Sequence, residues 1–175
     1  KEVMIVMEHI KSIYFKDNKS YLRALVLREH EYYIYKFQKY LRGEEAAKTI
    51  FFKVYYRIKT NILGRKLGFT IPPDVFAEGL HIWHYGNIVV NRGARVGKNC
   101  VLHGDNCIGN NGNDNGCPII GDNVDIGVGA KIIGNVHIAN NVKIGAGAVV
   151  IKSCEELGAV LVGVPAYIKK GNNNE

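Results

Sequence analysis

The sequence predicts a parallel β-helix preceded by a helical segment. From residue 88 to residue 150 an aliphatic residue returns every six positions. The members of this six-residue grid are Val90, Val96, Leu102, Ile108, Ile120, Ile126, Ile132, Ile138, Ile144 and Val150. Two positions before most of them stands a small or apolar residue, namely Ala94, Cys100, Val124, Ala130, Val136, Val142 or Ala148. A period of six fits neither an α-helix nor a flat strand, so the chain turns a corner at each repeat, as hexapeptide β-helices do. An antiparallel β-sandwich, the alternative, spaces its turns by about eight to twelve residues.

Composition divides the chain in two. Residues 1–70 carry 15 Lys or Arg against 7 Asp or Glu, whereas residues 71–175 carry 8 against 9. Most tyrosines lie in the first part and most glycines in the second. We therefore expect an α-helical N-terminal subdomain over 1–70, a β-helix domain over 71–168 and a polar tail over 169–175.

Helical spacing of apolar residues places three helices in the first part. One covers residues 2–15, and its apolar run is too short and interrupted to cross a bilayer. A second begins at Ser20 as the N-cap, runs to Leu41 and stops at Gly43; a third runs from Glu44 to Gly64.

The basic surplus of residues 1–70 has three interpretations: a solvated helical face, a site for an anionic sugar polymer, or contact with an anionic membrane surface. A solvated face is the default among them. Nucleic acid is not expected as a partner, because no recognisable nucleic-acid motif is present and the basic residues do not cluster.

The four cysteines form no C-x-x-C pair and have no His partner at zinc-finger spacing, so no metal site is expected. No secretion signal with a cleavage site follows the first predicted helix. Reduced thiols in a cytoplasmic protein are the simpler interpretation.

A histidine interrupts the grid where the β-helix begins. Counting six back from Val90 puts His84 on a corner slot that elsewhere belongs to an aliphatic residue. Either the first coil is irregular, or the imidazole is a satisfied structural group, or it serves function. Histidine is the usual acid or base near neutral pH.

The run from Ile71 to Ile168 resembles the hexapeptide-repeat acyltransferases, and among them the serine acetyltransferase-like branch that includes capsule and exopolysaccharide O-acetyltransferases. The motifs that carry the resemblance are HYGNIVV at 84–90, the repeat itself, IGVGAKI at 126–132 and GVPA at 163–166. The resemblance implies a left-handed β-helix, acetyl-CoA as the donor and a homotrimer that brings the base and the coenzyme groove together from neighbouring subunits. It also implies that His84 is the general base that takes the acceptor hydroxyl's proton.

The sequence departs from that family around the acceptor. Serine-specific members pair the base with an aspartate fifteen positions upstream, where this chain has Phe69, and Asp74, Glu78 or Asp105 could replace it. The aspartate before the base is here Trp83, and the Arg-His pair before a proline is Gly116-Cys117. We therefore expect a saccharide hydroxyl as the acceptor, with serine O-acetyltransferase of cysteine biosynthesis as the alternative and a catalytically inactive binding or scaffold protein as the second alternative. The expected acceptor-binding residues are Trp83, Tyr85, His103 and Asp105, although for His103 a plain surface position is the favoured interpretation.

Spacing of eighteen residues predicts a coenzyme groove. It would stack Gly109, Gly127 and Gly145 in one column, and Asn111, Gly129 and Gly147 in a second beside it. The resemblance implies that pantetheine contacts the backbone of Gly129, Ala130, Gly147 and Ala148, while these glycines also serve to make corners. Lys152, Lys169 and Lys170 lie close enough in sequence to meet phosphates. Residues 109–118 are predicted to form a loop that leaves the β-helix.

Overall fold

The computed structural model describes residues 2–112 and 116–169. Its helices are α1 (Glu2–Tyr14), α2 (Asn18–Leu27), α3 (His30–Ala46) and α4 (Ile50–Leu67). None of these described helices has the length and apolar character needed to span a membrane. The strands are β1 (Phe69–Thr70), β2 (His81–Ile82), β3 (Ile88–Val90), β4 (Arg95–Val96), β5 (Val101–Leu102), β6 (Cys107–Gly109), β7 (Ile119–Ile120), β8 (Asp125–Ile126), β9 (Lys131–Ile133), β10 (His137–Ile138), β11 (Lys143–Ile144), β12 (Val149–Val150), β13 (Val160–Val162) and β14 (Tyr167–Ile168).

The single helix predicted from Ser20 to Leu41 is two helices. Asp17 rather than Ser20 caps α2, because its side chain accepts a hydrogen bond of 2.7 Å from the Ser20 amide while the Ser20 hydroxyl accepts from the Asp17 amide. This reciprocal pair is a capping box. The break follows at Arg28, whose φ of 56° is left-handed and ends α2.

Two glycines predicted to stop helices lie inside them. A Cβ on Gly43 would stand 2.6 Å from the Tyr56 ring, and one on Gly64 would stand 2.8 Å from the Phe69 carbonyl oxygen. Both glycines therefore allow close packing of neighbouring backbone and side chains. The residue that ends α4 is Gly68, with φ of 76°.

The strands form the predicted parallel β-helix. Sheet A contains β1, β3, β6, β9 and β12; sheet B contains β4, β7 and β10; sheet C contains β2, β5, β8, β11 and β13, with β14 added antiparallel at its end. Grid residues stack in register inside, as Leu102, Ile126 and Ile144 do in sheet C. Every grid residue is at most 4% exposed. The core is thus the aliphatic column that the six-residue period predicts.

One coil is longer than the others. Leu102 pairs with Ile126, 24 positions on, whereas Ile126 pairs with Ile144, 18 positions on. The extra six residues lie between β6 and β7, so the predicted loop at 109–118 leaves the β-helix there. Residues 113–115 of this loop, and residues 170–175 of the predicted tail with Lys170, lie outside the described residues.

Tyr14 and Arg42 fix the helices to the first coil. The Tyr14 hydroxyl accepts hydrogen bonds from the Ile82 amide of β2 at 2.9 Å and from the Gln38 side chain of α3 at 2.7 Å. Burial raises the pKa of the Tyr14 phenol, so it stays protonated. Arg42 of α3 donates to the carbonyl oxygens of Phe76 and Ala77. The middle and the C-terminal part of α3 are therefore held against the first coil of the β-helix.

Candidate active site

His84 lies exposed on the corner where the chain passes from sheet C to sheet A. We call this edge of the β-helix the CA corner; its turns are 83–87, 103–106, 127–130 and 145–148. The inward slot of β2 belongs to Ile82, which is fully buried and pairs with Leu102. The prediction that His84 occupies an aliphatic slot is therefore wrong, because Ile82 and Leu102 are 20 positions apart and the longer turn carries the imidazole outside.

Gly104 leaves room beneath this imidazole. A Cβ added to Gly104 would lie 3.7 Å from the His84 Cβ, in ordinary contact. Among the described residues none forms a hydrogen bond with the His84 ring, so both ring nitrogens are open to an approaching group. An exposed imidazole of this kind is able to accept a proton from a bound hydroxyl.

Most of the carboxylates expected to orient His84 lie elsewhere. Glu78 pairs with Lys98 at 2.8 Å on the corner between sheets B and C. Asp74 lies before the residues that pair with sheet B, and its amide donates to Glu45. Asp105 does share the CA corner, one coil from His84, but its carboxylate faces Gly129 in the next coil. Phe69, at the family's aspartate position, is buried against Phe37.

His30 is a neighbour that sequence reasoning missed. It is the first residue of α3, and its ring centroid lies 5.8 Å from that of His84 and 6.1 Å from that of Tyr85. Its Nε2 lies 3.3 Å from a carboxylate oxygen of Glu31. No local pattern in the sequence indicates this contact, since it depends on how the helices dock. Helix α3 thus brings an imidazole, with the Glu31 carboxylate beside it, to the candidate base.

Trp83 and His103 lie on the outer face of sheet C. The indole centroid is 4.5 Å from that of His81 and 6.2 Å from that of His103. His103 Nε2 forms a 2.8 Å hydrogen bond with Asp125, a residue that sequence reasoning did not select. Burial first, and the nearby His103 second, lower the pKa of His81. Of the predicted acceptor-binding residues, Tyr85 therefore lies beside His30 near the base, whereas Trp83 contacts His81 and remains 48% exposed.

The long coil divides the predicted glycine columns. Gly127 and Gly145 do stack, because a Cβ on Gly127 would meet Gly145 backbone at 3.0 Å. Gly109, however, belongs to sheet A and pairs with Ile133. Asn111 follows β6 on the corner between sheets A and B, beside Gly134. Placing Gly109 and Asn111 in these columns was wrong, because six inserted residues shift the count by one side of the β-helix.

The four amides implied for coenzyme contact already donate within the β-helix. Two of them bridge successive coils, Gly129 to Gly104 and Gly147 to Val128, at 2.9 and 2.8 Å. The other two, Ala130 and Ala148, close their own turns at 3.1 Å.

Two further backbone amides on this corner donate no hydrogen bond to any described residue. Among the described residues the amides of Val128 and Ala146 have no acceptor, and both residues are exposed on the CA corner. A peptide-like chain lying along this corner would find its donors there. Val128 and Ala146 are therefore the better candidates for backbone contact with pantetheine.

The cations around the groove also differ from expectation. Lys131 Nζ lies 3.0 Å from the Gly129 carbonyl oxygen, on the CA corner itself. Lys152 is exposed on the corner that follows sheet A, and Lys169 is exposed after β14 in sheet C. Lys131 is thus the cation nearest the candidate groove, whereas Lys152 lies on another corner.

Comparison with solved structures finds serine acetyltransferases. That of Neisseria gonorrhoeae is 26% identical, covers 99% of this chain and 69% of its own, and has a TM-score of 0.72; it has also been solved in complex with serine. That of Brucella abortus strain S19 is 25% identical over 95% of this chain and 68% of its own, with a TM-score of 0.67. A serine acetyltransferase in complex with CoA is 22% identical over 95% and 69%, with a TM-score of 0.71, a likeness of fold. No family model matches the sequence, and no curated protein matches it either. The likeness extends over the helices and the β-helix together.

Proposed function

We propose that this chain, an acyltransferase of the hexapeptide-repeat class with a left-handed parallel β-helix, transfers the acetyl group of acetyl-CoA to a hydroxyl with His84 as the general base. The observation that carries this proposal is the placement of His84. Its unbonded imidazole stands on the CA corner, at the head of the open amides of Val128 and Ala146. Base and donor groove thus lie along one edge of the β-helix, so that a pantetheine arm lying along this edge would point its thioester toward His84.

The reaction follows from this arrangement. The acceptor oxygen bonds to the thioester carbonyl carbon while its proton moves to the imidazole of His84. The resulting tetrahedral oxyanion needs hydrogen-bond donors, and backbone amides at the corner are the groups in place for it. The C–S bond then breaks, and the departing CoA thiolate takes the proton back from the imidazolium. No covalent acyl-enzyme is needed, because the acceptor attacks the donor directly.

Bulk added at Ala146 tests the donor groove. Ala146→Trp is expected to weaken CoA binding by about tenfold or more, because the indole would cover the open amide at the corner. Ala146 is exposed and has no positive φ, so the fold accepts the change. By contrast, Gly129→Val or Gly147→Val would confuse strain with occlusion, since these glycines have φ of 72° and 68°.

The matched control is Ile151→Trp. Ile151 is exposed in the same coil but on the corner after sheet A, so an indole there leaves the groove open. Calorimetry with CoA measures both variants against the unaltered protein. Equal CoA affinity for all three proteins would show that the coenzyme does not bind at the CA corner.

L-Serine is the acceptor that we place first. All the solved neighbours reported above are serine acetyltransferases, and one of them was solved with serine. The expectation of a saccharide rested on Trp83 as a flat platform, yet the Trp83 ring is already in contact with that of His81, with 4.5 Å between centroids. Glu31, beside His30 at the base, supplies a carboxylate that the ammonium group of an amino acid could meet.

A saccharide hydroxyl remains the second candidate. It is favoured by Trp83, Gly116 and Cys117, which stand where serine-specific members carry an aspartate and an Arg-His pair. Leaving either charged end of an amino acid unpaired in a closed site costs several kcal/mol by order of magnitude. The two candidates therefore differ in whether this chain supplies other charged partners.

An acceptor panel separates them. We expect thiol release from acetyl-CoA with L-serine, and none above background with L-alanine, which has the same charged ends and lacks the hydroxyl. Mass spectrometry would then find O-acetylserine. A higher kcat/KM for bacterial surface oligosaccharides than for serine would replace the first candidate by the second, and thiol release with neither would favour the scaffold alternative.

We include a homotrimer in the proposal. Outward-facing apolar side chains lie on all three sheets, among them Val89 in sheet A, Ile119 in sheet B and Val160 in sheet C. Flat β-helix faces with such residues are suited to association with further copies. In a trimer, the CA corner of one subunit would face a neighbouring subunit, which would close the acceptor site.

A further inference from the structure

Helix α4 has two apolar faces, and one of them points outward. Thr60, Leu63, Gly64 and Leu67 recur at helical spacing and are buried against the rest of the protein. On the opposite side a second stripe recurs at i, i+3, i+4, i+7 and i+11. It consists of Phe51, Val54, Tyr55, Ile58 and Ile62, all exposed, with Phe51 at 74% and Ile58 at 52%. A surface helix of a globular protein normally carries polar residues there.

The borders of this outward stripe are basic. Residues 50–67 contain five Lys or Arg and no Asp or Glu, and at about 100° per residue Lys59, Arg65 and Lys66 lie along the stripe. Lys53 lies on the opposite side of the helix, and Arg57 is paired with Glu44 of α3 at 2.6 Å. Lys59 lies over the Tyr55 ring at 5.5 Å, which keeps its charge at the edge of the stripe. Residues 1–70 as a whole carry the basic surplus of the chain. Apolar and aromatic side chains flanked by cations define an interfacial helix.

We propose that the outward face of α4 docks on an anionic lipid bilayer, with the helix lying in the plane of the headgroups. Phe51, Val54, Ile58 and Ile62 would enter the acyl boundary, and the lysines would meet lipid phosphates. The apolar stripe explains insertion, and the lack of any acidic residue on α4 explains the preference for negative lipid.

A second copy of the chain is the competing occupant, and charge argues against it. If two α4 stripes met face to face, the lysines and arginines at both borders would approach each other without an acidic partner on either helix. Like charges at such a contact oppose association, whereas anionic headgroups compensate them. The charge pattern therefore selects a negative surface.

Vesicle binding tests the proposal. The unaltered protein is expected to sediment with vesicles of phosphatidylcholine and phosphatidylglycerol, more weakly with phosphatidylcholine alone, and less as salt is raised. Phe51→Ser with Ile58→Ser is expected to lower partitioning by about tenfold for each side chain removed. Lys59→Gln with Lys66→Gln is expected to lower it by roughly fivefold for each charge lost.

The matched control is Leu22→Ser with Val26→Ser. These residues of α2 are also exposed and apolar, at 54% and 75%, so the control has the same chemistry on another helix. It should bind vesicles like the unaltered protein. Thermal unfolding checks that each variant is folded, and the lysine variant keeps the proposal testable if the Phe51 variant is not.

Three results would overturn the proposal. The first is no binding of the unaltered protein to anionic vesicles, and the second is equal loss in the α4 and α2 variants. The third is a change of oligomeric state in the Phe51 and Ile58 variant without lipid, which would make the stripe a subunit interface. Acetyl transfer is measured separately in solution, so failure of docking and failure of the proposed activity remain distinguishable.

Discussion

Replacing His84 by alanine is expected to lower kcat by roughly two to four orders of magnitude, because the acceptor hydroxyl would lose its general base. Affinity for acetyl-CoA should change little, since the imidazole does not lie among the open amides of Val128 and Ala146. Thiol release under saturating donor measures the first quantity and calorimetry with CoA the second. His84 is exposed on a turn, so the variant should fold.

His137→Ala is the matched control. Its imidazole is exposed on sheet B and bonded to Glu155 at 2.7 Å, away from the CA corner, so its loss should leave turnover unchanged. His103→Ala is the sharper comparison, because Asp125 orients His103, whereas no carboxylate of the described residues is bonded to His84. Near-normal turnover in a folded His84→Ala protein, with loss in His103→Ala, would move the base to His103.

His30 offers a further measurement at the same site. If the imidazole of His30 and the Glu31 carboxylate help to hold the acceptor, His30→Ala should raise KM for the acceptor more than it lowers kcat. A pure fall in kcat would instead mean that His30 acts through the orientation of His84. Neither outcome for His30→Ala decides whether His84 is the general base, which only the turnover of the His84→Ala protein tests.

Local periodicity predicted the β-helix correctly, and its physical basis explains why. Ile126 is buried because short strands separated by corners send one side chain inward per side of the β-helix, a pattern that a few successive hexapeptides already reveal. Counting in sixes gives the wrong inward position wherever the chain inserts extra residues into a coil. His84 was placed six before Val90, whereas the inward slot belongs to Ile82.

Contacts between the helices and the β-helix were beyond sequence reasoning. His30 approaches His84 only because Tyr14 and Arg42 dock α3 on the first coil, and these bonds join residues 34 to 68 positions apart. The break between α2 and α3 was missed for a related reason. Arg28 adopts a left-handed conformation that glycine or asparagine usually takes, so no residue type marks it.

Gly127→Ala and Gly109→Ala are expected to have opposite effects on stability, although spacing had placed both glycines in one column. A Cβ on Gly127 would lie 2.7 Å from the Ala146 amide nitrogen and 2.8 Å from the Ile144 carbonyl oxygen. Both atoms belong to the backbone of the next coil and cannot step aside, so we expect a loss of about 1–3 kcal/mol in unfolding free energy.

Among the described residues none has an atom within 4 Å of the Cβ position of Gly109, and neither glycine has positive φ. Alanine at 109 should therefore be neutral or stabilise the fold by up to about 1 kcal/mol, because it restricts the unfolded chain. Denaturant unfolding of both variants measures the difference. Equal destabilisation would mean that Gly109 stacks in one column with Gly127. The coil that contains the loop between β6 and β7 would then have eighteen residues. Opposite effects would confirm that the inserted six residues carry Gly109 away from the CA corner, which leaves Gly127 and Gly145 to bring successive coils together beneath the candidate coenzyme groove.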